Sequence, residues 1–66
     1  MKIVVNGKPK TINSNITIAE LLHMEGYDEN WVGVWVNKKQ LLQKEYSTYT
    51  INDKDEIIII RPLGGG

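Results

Sequence analysis

The chain has no cysteine. That absence excludes disulfides, cysteine-held zinc, iron–sulfur clusters and a thiol nucleophile. It has one histidine, His23, between Leu22 and Met24. A lone histidine there reads as a surface or boundary side chain rather than a ligand or a base. There is no surplus of either charge, because eight basic residues balance eight acidic ones. That argues against a general nucleic-acid binder and against an anionic-membrane binder. No apolar run approaches the roughly 18 residues of a membrane span. The apolar run at the start is too short for a signal peptide, so a cytoplasmic location is expected. Asn15-Ile16-Thr17 then matches the glycosylation sequon by chance.

Recognisable catalytic patterns are missing too. Gly7-Lys8 lacks the rest of a phosphate-binding loop. No Ser/His/Asp set has supporting context. Asp53, Asp55 and Glu56 lack the further ligands of a calcium loop and read as a polar turn. No metal site and no internal active site is expected, and the chain does not read as an enzyme.

What is present is a small apolar core. The chain has 66 residues, and 41% are apolar. Domains of this size bury only about 60% of their unfolded surface. With no disulfide or metal to help, the core must carry the fold. Ile and Val are abundant, which favours strands.

Lys2 to Val5 is a β-branched run, followed by the hairpin signal Asn6-Gly7. Lys10 to Asn13 reads as the returning strand, with Pro9 near its start. Thr17 and Glu20 have the spacing of a capping box, and Ile16 and Leu21 that of a hydrophobic staple. Ile18, Leu21 and Leu22 form one helical stripe, and Gly26 is placed to stop the helix. Two turns of helix are too short to stand alone, so this one must pack on a sheet.

Trp31 to Val36 alternates, with Val32, Val34 and Val36 on one face and Gly33 and Trp35 on the other. Gln40 to Leu42 reads as a short strand, and Glu45 to Thr50 as room for one tight helical turn. Ile57 to Ile60 is a continuous apolar run, the pattern of a central strand flanked on both sides. The order is strand, strand, helix, strand, short strand, strand. It predicts an α+β fold of the β-grasp (ubiquitin-like) type, with a mixed four- to five-stranded sheet on one main helix. Residues 1–61 make the expected domain, and 62–66 a flexible glycine tail.

That tail, Gly64-Gly65-Gly66, is the informative site. Glycines have no Cβ, so three in a row make a thread that fits a narrow tunnel. A terminal carboxylate is unreactive until a partner adenylates it. Without cysteine the chain cannot hold sulfur as a persulfide. Any sulfur it carries must sit on Gly66 as a thiocarboxylate, with Gly64 and Gly65 giving access. Taken by itself, such a tail is more often an ordinary loose end.

The body changes that balance. Met1-Lys2-Ile3-Val4-Val5-Asn6-Gly7, Thr17-Ile18-Ala19-Glu20-Leu21-Leu22 and Val32-Gly33-Val34-Trp35-Val36-Asn37 come in order. Asp55-Glu56-Ile57-Ile58-Ile59-Ile60-Arg61 then precedes the glycines. In this order and spacing the chain resembles, end to end, the ubiquitin-like sulfur carriers of thiamine biosynthesis, the ThiS family. The resemblance implies an E1-like (ThiF-like) adenylyltransferase that uses ATP and magnesium to activate Gly66. It implies a cysteine desulfurase or other sulfur donor, and a ThiG-like thiazole synthase as recipient. No cofactor would be bound by the chain itself.

Three positions depart from the family pattern. Lys54 stands where a glycine is common, Ile58 where a charge is common, and Trp35 where small residues are common. Trp35, Ile58 and Ile60 are therefore expected to form an outward apolar patch that docks partner enzymes, since exposed apolar patches mark interfaces. A locally packed outer face is the plainer reading of the same residues. The alternatives are the small subunit of molybdopterin synthase or another sulfur carrier, a protein-modifying tag, and a β-grasp interaction module with inert glycines.

Overall fold

The computed structural model describes residues 1–62. Strand β1 (Lys2–Val5) turns through Asn6 and Gly7 into β2 (Lys8–Thr11). Both turn residues have positive φ, 51° and 80°. Two successive left-handed residues match the twist of a tight hairpin. Pairing therefore resumes at once, and β2 begins at Lys8 rather than at the expected Lys10. Pro9 is tolerated inside it because β2 is an edge strand. Its partner Val4 donates its own N–H the other way, to Asp55 O at 3.0 Å.

Helix α1 (Ile18–Met24) starts as its sequence predicts. Thr17 Oγ1 accepts from Glu20 N at 3.2 Å, and Glu20 Oε1 accepts from Thr17 N at 3.0 Å. Two more early N–H groups find carbonyls on the 46–49 loop: Ile18 N donates to Tyr49 O and Ala19 N to Tyr46 O. At the other end Gly26 adopts φ +81°. Tyr27 N donates to Leu22 O at 2.8 Å and Gly26 N to His23 O at 3.1 Å. These are the two bonds of a Schellman cap.

Strand β3 (Gly33–Val36) and strand β4 (Lys39–Leu41) follow, then one 3₁₀ turn at Gln43–Glu45. That turn lies earlier than the expected Glu45 to Thr50. Glu45 Oε1 accepts from Leu42 N at 2.9 Å and closes the turn there. Strand β5 (Glu56–Ile60) returns through the middle of the sheet. The sheet order is β2-β1-β5-β3-β4, with β1 and β5 parallel and the other pairs antiparallel. This is the β-grasp arrangement.

The core lies between the sheet and the helix. Ile3 and Val5 of β1, Val34 and Val36 of β3, and Ile57 and Ile59 of β5 are buried against Ile18, Leu21 and Leu22. β5 is central in pairing but not in layering. Its burial alternates, so only one of its faces is covered. The expectation of cover on both sides is corrected: the only main helix described lies on one face.

The polar turn before β5 is also more than a turn. Asp55 is only 5% exposed. Its Oδ2 accepts from Tyr49 Oη at 3.0 Å and from Asn52 N at 2.9 Å, and its Oδ1 from Asn37 Nδ2 at 2.9 Å. Lys54, in the same turn, adopts φ +71°, which explains why a glycine suits that position.

Burial pushes the Tyr46 and Tyr49 hydroxyls above the ordinary 10.0, and for Tyr49 the bond to Asp55 adds to it. Raised values mean that the fold favours the protonated phenols. That stabilisation is whole below the unfolded pKa of about 10 and is lost as pH rises through the folded values. This contribution to stability is therefore expected to be lost above about pH 10. Phenolate absorbance, followed with denaturant midpoints across that range, checks this. Two tyrosines titrating at the ordinary value would overturn it.

Candidate docking face and acceptor terminus

The uncovered face of the sheet is built by strand alternation. With Ile57 and Ile59 turned to the helix, Ile58 and Ile60 turn away, 37% and 50% exposed. The antiparallel register sets Trp35 opposite Ile58 and Gly33 opposite Ile60. The three apolar residues singled out from sequence thus share one face and touch one short stretch of two strands.

Trp35 does not stand up from that face. A Cβ at Gly33 would lie 2.9 Å from Trp35 Cζ3 and 3.1 Å from Cη2. The ring lies along the strand over the space that Gly33 leaves empty. That makes Trp35 half-buried. Outward by alternation, it is packed down onto its own strand. A smooth floor results, with Ile58 and Ile60 beside it.

Sequence reasoning missed Leu42. In β4, Leu41 pairs with Val34 and packs on the core. The next residue faces the other way, and Leu42 is 55% exposed. It sits just past the end of β4, next to the register pair of Val34 with Leu41. Two adjacent leucines at a strand end carried this signal, since neighbours in extended chain do not share a face. Trp31, 67% exposed, lies just before β3. Its segment is tied to the 3₁₀ turn by Gln43 Nε2 donating to Asn30 Oδ1 at 2.8 Å.

Asn6 was read only as a turn residue, yet it extends the sheet. Its N donates to Ile57 O at 2.9 Å, and its Oδ1 accepts from Ile59 N at 2.8 Å. A side chain continues the ladder where β1 has ended. The last strand is thereby held through Ile59, close to the point where the chain leaves the sheet.

Gly64, Gly65 and Gly66 lie outside the described residues. His23 is exposed on α1. Among the described residues no group of three acidic or histidine side chains could hold a metal. No helix among them is long and apolar enough to cross a membrane.

Comparison with known proteins decides the family. The ThiS family model matches residues 3–66. The chain belongs to the ThiS family. Its β-grasp superposes on the crystal structure of the thiamine biosynthesis protein ThiS from Geobacter metallireducens with a TM-score of 0.84. That pair is 29% identical and each chain is covered in full. A solution structure of the thiamine biosynthesis protein from the same organism gives 0.82, at 29% identity, over 88% of that chain. This ThiS-family chain is also 32% identical over 66 residues to a thiazole synthase of Paramagnetospirillum magneticum, but it spans only 20% of that protein's length. It is 26% identical to the uncharacterized protein ycf40 of Porphyra purpurea, over 93% of that protein.

Proposed function

We propose that the chain is a sulfur carrier for the thiazole ring of thiamine and works through Gly66. One observation carries this reading: the family match runs through residue 66 and so takes in the three glycines. An E1-like adenylyltransferase joins the Gly66 carboxylate to AMP and releases pyrophosphate. Sulfide displaces AMP from the acyl carbon and leaves a thiocarboxylate directly; a persulfide donor displaces AMP to give an acyl disulfide, whose S–S bond a thiol then breaks to free the thiocarboxylate. A thiazole synthase accepts that sulfur. ATP and magnesium belong to the activating partner, and a cysteine desulfurase or other donor supplies the sulfur. The chain itself catalyses no step, and it works in the cytoplasm. The thiamine route is favoured over a pterin route because the two solved structures compared above are of a thiamine biosynthesis protein. The thiazole synthase that carries a similar stretch supports the choice of recipient.

The test is intact mass after incubation with a cognate adenylyltransferase, ATP, magnesium and a sulfur donor. The expected gain equals the exchange of one oxygen for one sulfur. An unchanged mass with active enzymes would refute the carrier role.

Trp35, Ile58, Ile60 and Leu42 form the face that the partner enzymes cover. Ile58 lies at its centre by register with Trp35. Central apolar anchors are worth about 2 kcal/mol or more at such interfaces. Ile58→Glu is therefore expected to weaken binding of the adenylyltransferase at least ~30-fold. Ile58→Thr keeps the β-branched shape and should show a smaller loss. The thermal midpoint of both variants, read alongside, separates docking from folding. An unchanged Kd for Ile58→Glu would remove this face from the interface.

A further inference from the structure

Arg61, next to the last described residue, makes a contact beyond the end of the sheet. The guanidinium carbon of Arg61 lies 5.1 Å from the centroid of the Tyr27 ring. That is within the range of a cation–π contact. Arg61 follows β5, and Tyr27 follows α1, so the contact joins two element ends that are distant in sequence.

Both partners are held on their own sides. Tyr27 is the residue whose N–H closes the Schellman cap onto Leu22 O, and it packs against the core. Its ring is therefore a fixed platform. Arg61 precedes Pro62. A residue before proline is confined to extended conformations, and proline fixes its own φ near −65°. Upstream, Asn6 Oδ1 holds Ile59 N. From Ile59 to Pro62 the chain has few ways to turn.

We propose that Tyr27 and Arg61 form a tether that sets the direction in which the chain leaves the sheet. This makes Tyr27 a positioning residue for the Gly66 carboxylate. The inference rests on the carrier reading above. An acceptor group at the end of a short chain samples a volume set by where that chain starts and how it points. Narrowing that volume raises its effective concentration at a docked partner's active site. The tether is made by Tyr27 and Arg61, neither of which is the acceptor residue. It acts on the approach and not on the chemical step.

The test is steady-state adenylation by the cognate enzyme, with this chain as the varied substrate. Tyr27→Leu is expected to raise KM about two- to five-fold, the worth of an exposed cation–π contact, with kcat unchanged. Tyr27→Phe keeps the ring and should keep the wild-type KM. In an Arg61→Gln background, Tyr27→Leu should add no further loss, because the two residues act as one unit. An unchanged KM in Tyr27→Leu, an equal loss in Tyr27→Phe, or additive effects in the double variant would each overturn the proposal. A second measurement needs no enzyme. The backbone heteronuclear NOE of Arg61 should fall in Tyr27→Leu and persist in Tyr27→Phe. If the wild-type chain is not adenylated at all, the carrier reading fails. The NOE still decides the tether, and an unchanged value in Tyr27→Leu refutes it.

Discussion

A chain ending at Gly65 is expected to take up no sulfur under conditions that convert the full chain. Removing one residue draws the terminal carboxylate back by about 3.3–3.6 Å. Reacting atoms must approach within roughly 3–3.5 Å, and a displacement near 1 Å already costs about 10²-fold. The truncated carboxylate therefore stops short of the α-phosphate of ATP by a whole reaction distance. The shorter thread has to span the same distance from the end of β5 at Ile60. Folding should be untouched, because the buried core ends at Ile59. Gly65→Val restores the length but puts a branched side chain into the thread. It should fold normally and lose most of its conversion. The check is intact mass together with AMP release, with the thermal midpoints of all three chains alongside. Equal sulfur uptake by the truncated chain would place the chemistry elsewhere.

Local chemistry made much of this fold legible. Asn6-Gly7 predicts a hairpin because two left-handed residues in a row suit few other structures, and both φ values are positive. Thr17 and Glu20 predict the helix start because their side chains serve each other's backbone, and both bonds form. Alternation places Ile58 and Trp35 on the same side without any knowledge of the register. What stayed hidden depends on partners far along the chain. Asp55 reads as part of a polar turn because two of its donors, Tyr49 and Asn37, lie 6 and 18 residues away. The bond from Ile59 N to Asn6 spans 53 residues. Leu42 was missed for a different reason: the expected short strand, Gln40 to Leu42, holds both leucines, but three residues are too few for alternation to show which of them faces the core. The continuous run of isoleucines predicted two covering layers, and only one is there. An apolar residue on the uncovered face looks the same in sequence as one in a core. That ambiguity is itself informative, because Ile58 and Ile60 stay apolar where the fold does not bury them.

Asp55→Ala is expected to destabilise the domain by about 2–4 kcal/mol. The carboxylate gathers three donors into one buried point: the Tyr49 hydroxyl, the Asn52 amide and the Asn37 side chain. Hydrogen bonds to a charged group contribute about 1.5–3 kcal/mol each. Asn37 and Asn52 are exposed enough to find water once the acceptor is gone, so their share is discounted. Tyr49 is half-buried and loses more. The damage also spreads through the Asn37 side chain, whose Oδ1 accepts from Glu56 N at 2.9 Å and fixes the first residue of β5. In a domain this small each kcal/mol moves Tm by roughly 4–8 °C, so a fall of about 8–32 °C is expected. Native stability at this length is itself only about 3–10 kcal/mol, so a sizeable unfolded fraction should appear near body temperature. Asp55→Asn keeps the shape and one acceptor oxygen but sets its own NH₂ against one of the donors, so its loss should be intermediate. Tyr49→Phe combined with Asp55→Ala should cost less than the sum of the two, because they share one bond. Thermal and urea denaturation of the five chains, wild type included, measures all of this. A Tm for Asp55→Ala within a few degrees of wild type would mean that the three donors are satisfied without the carboxylate. The turn before β5 would then be held by its remaining bonds, among them Asp55 N to Asn52 O, Lys54 N to Lys2 O and Lys2 N to Asp53 Oδ1.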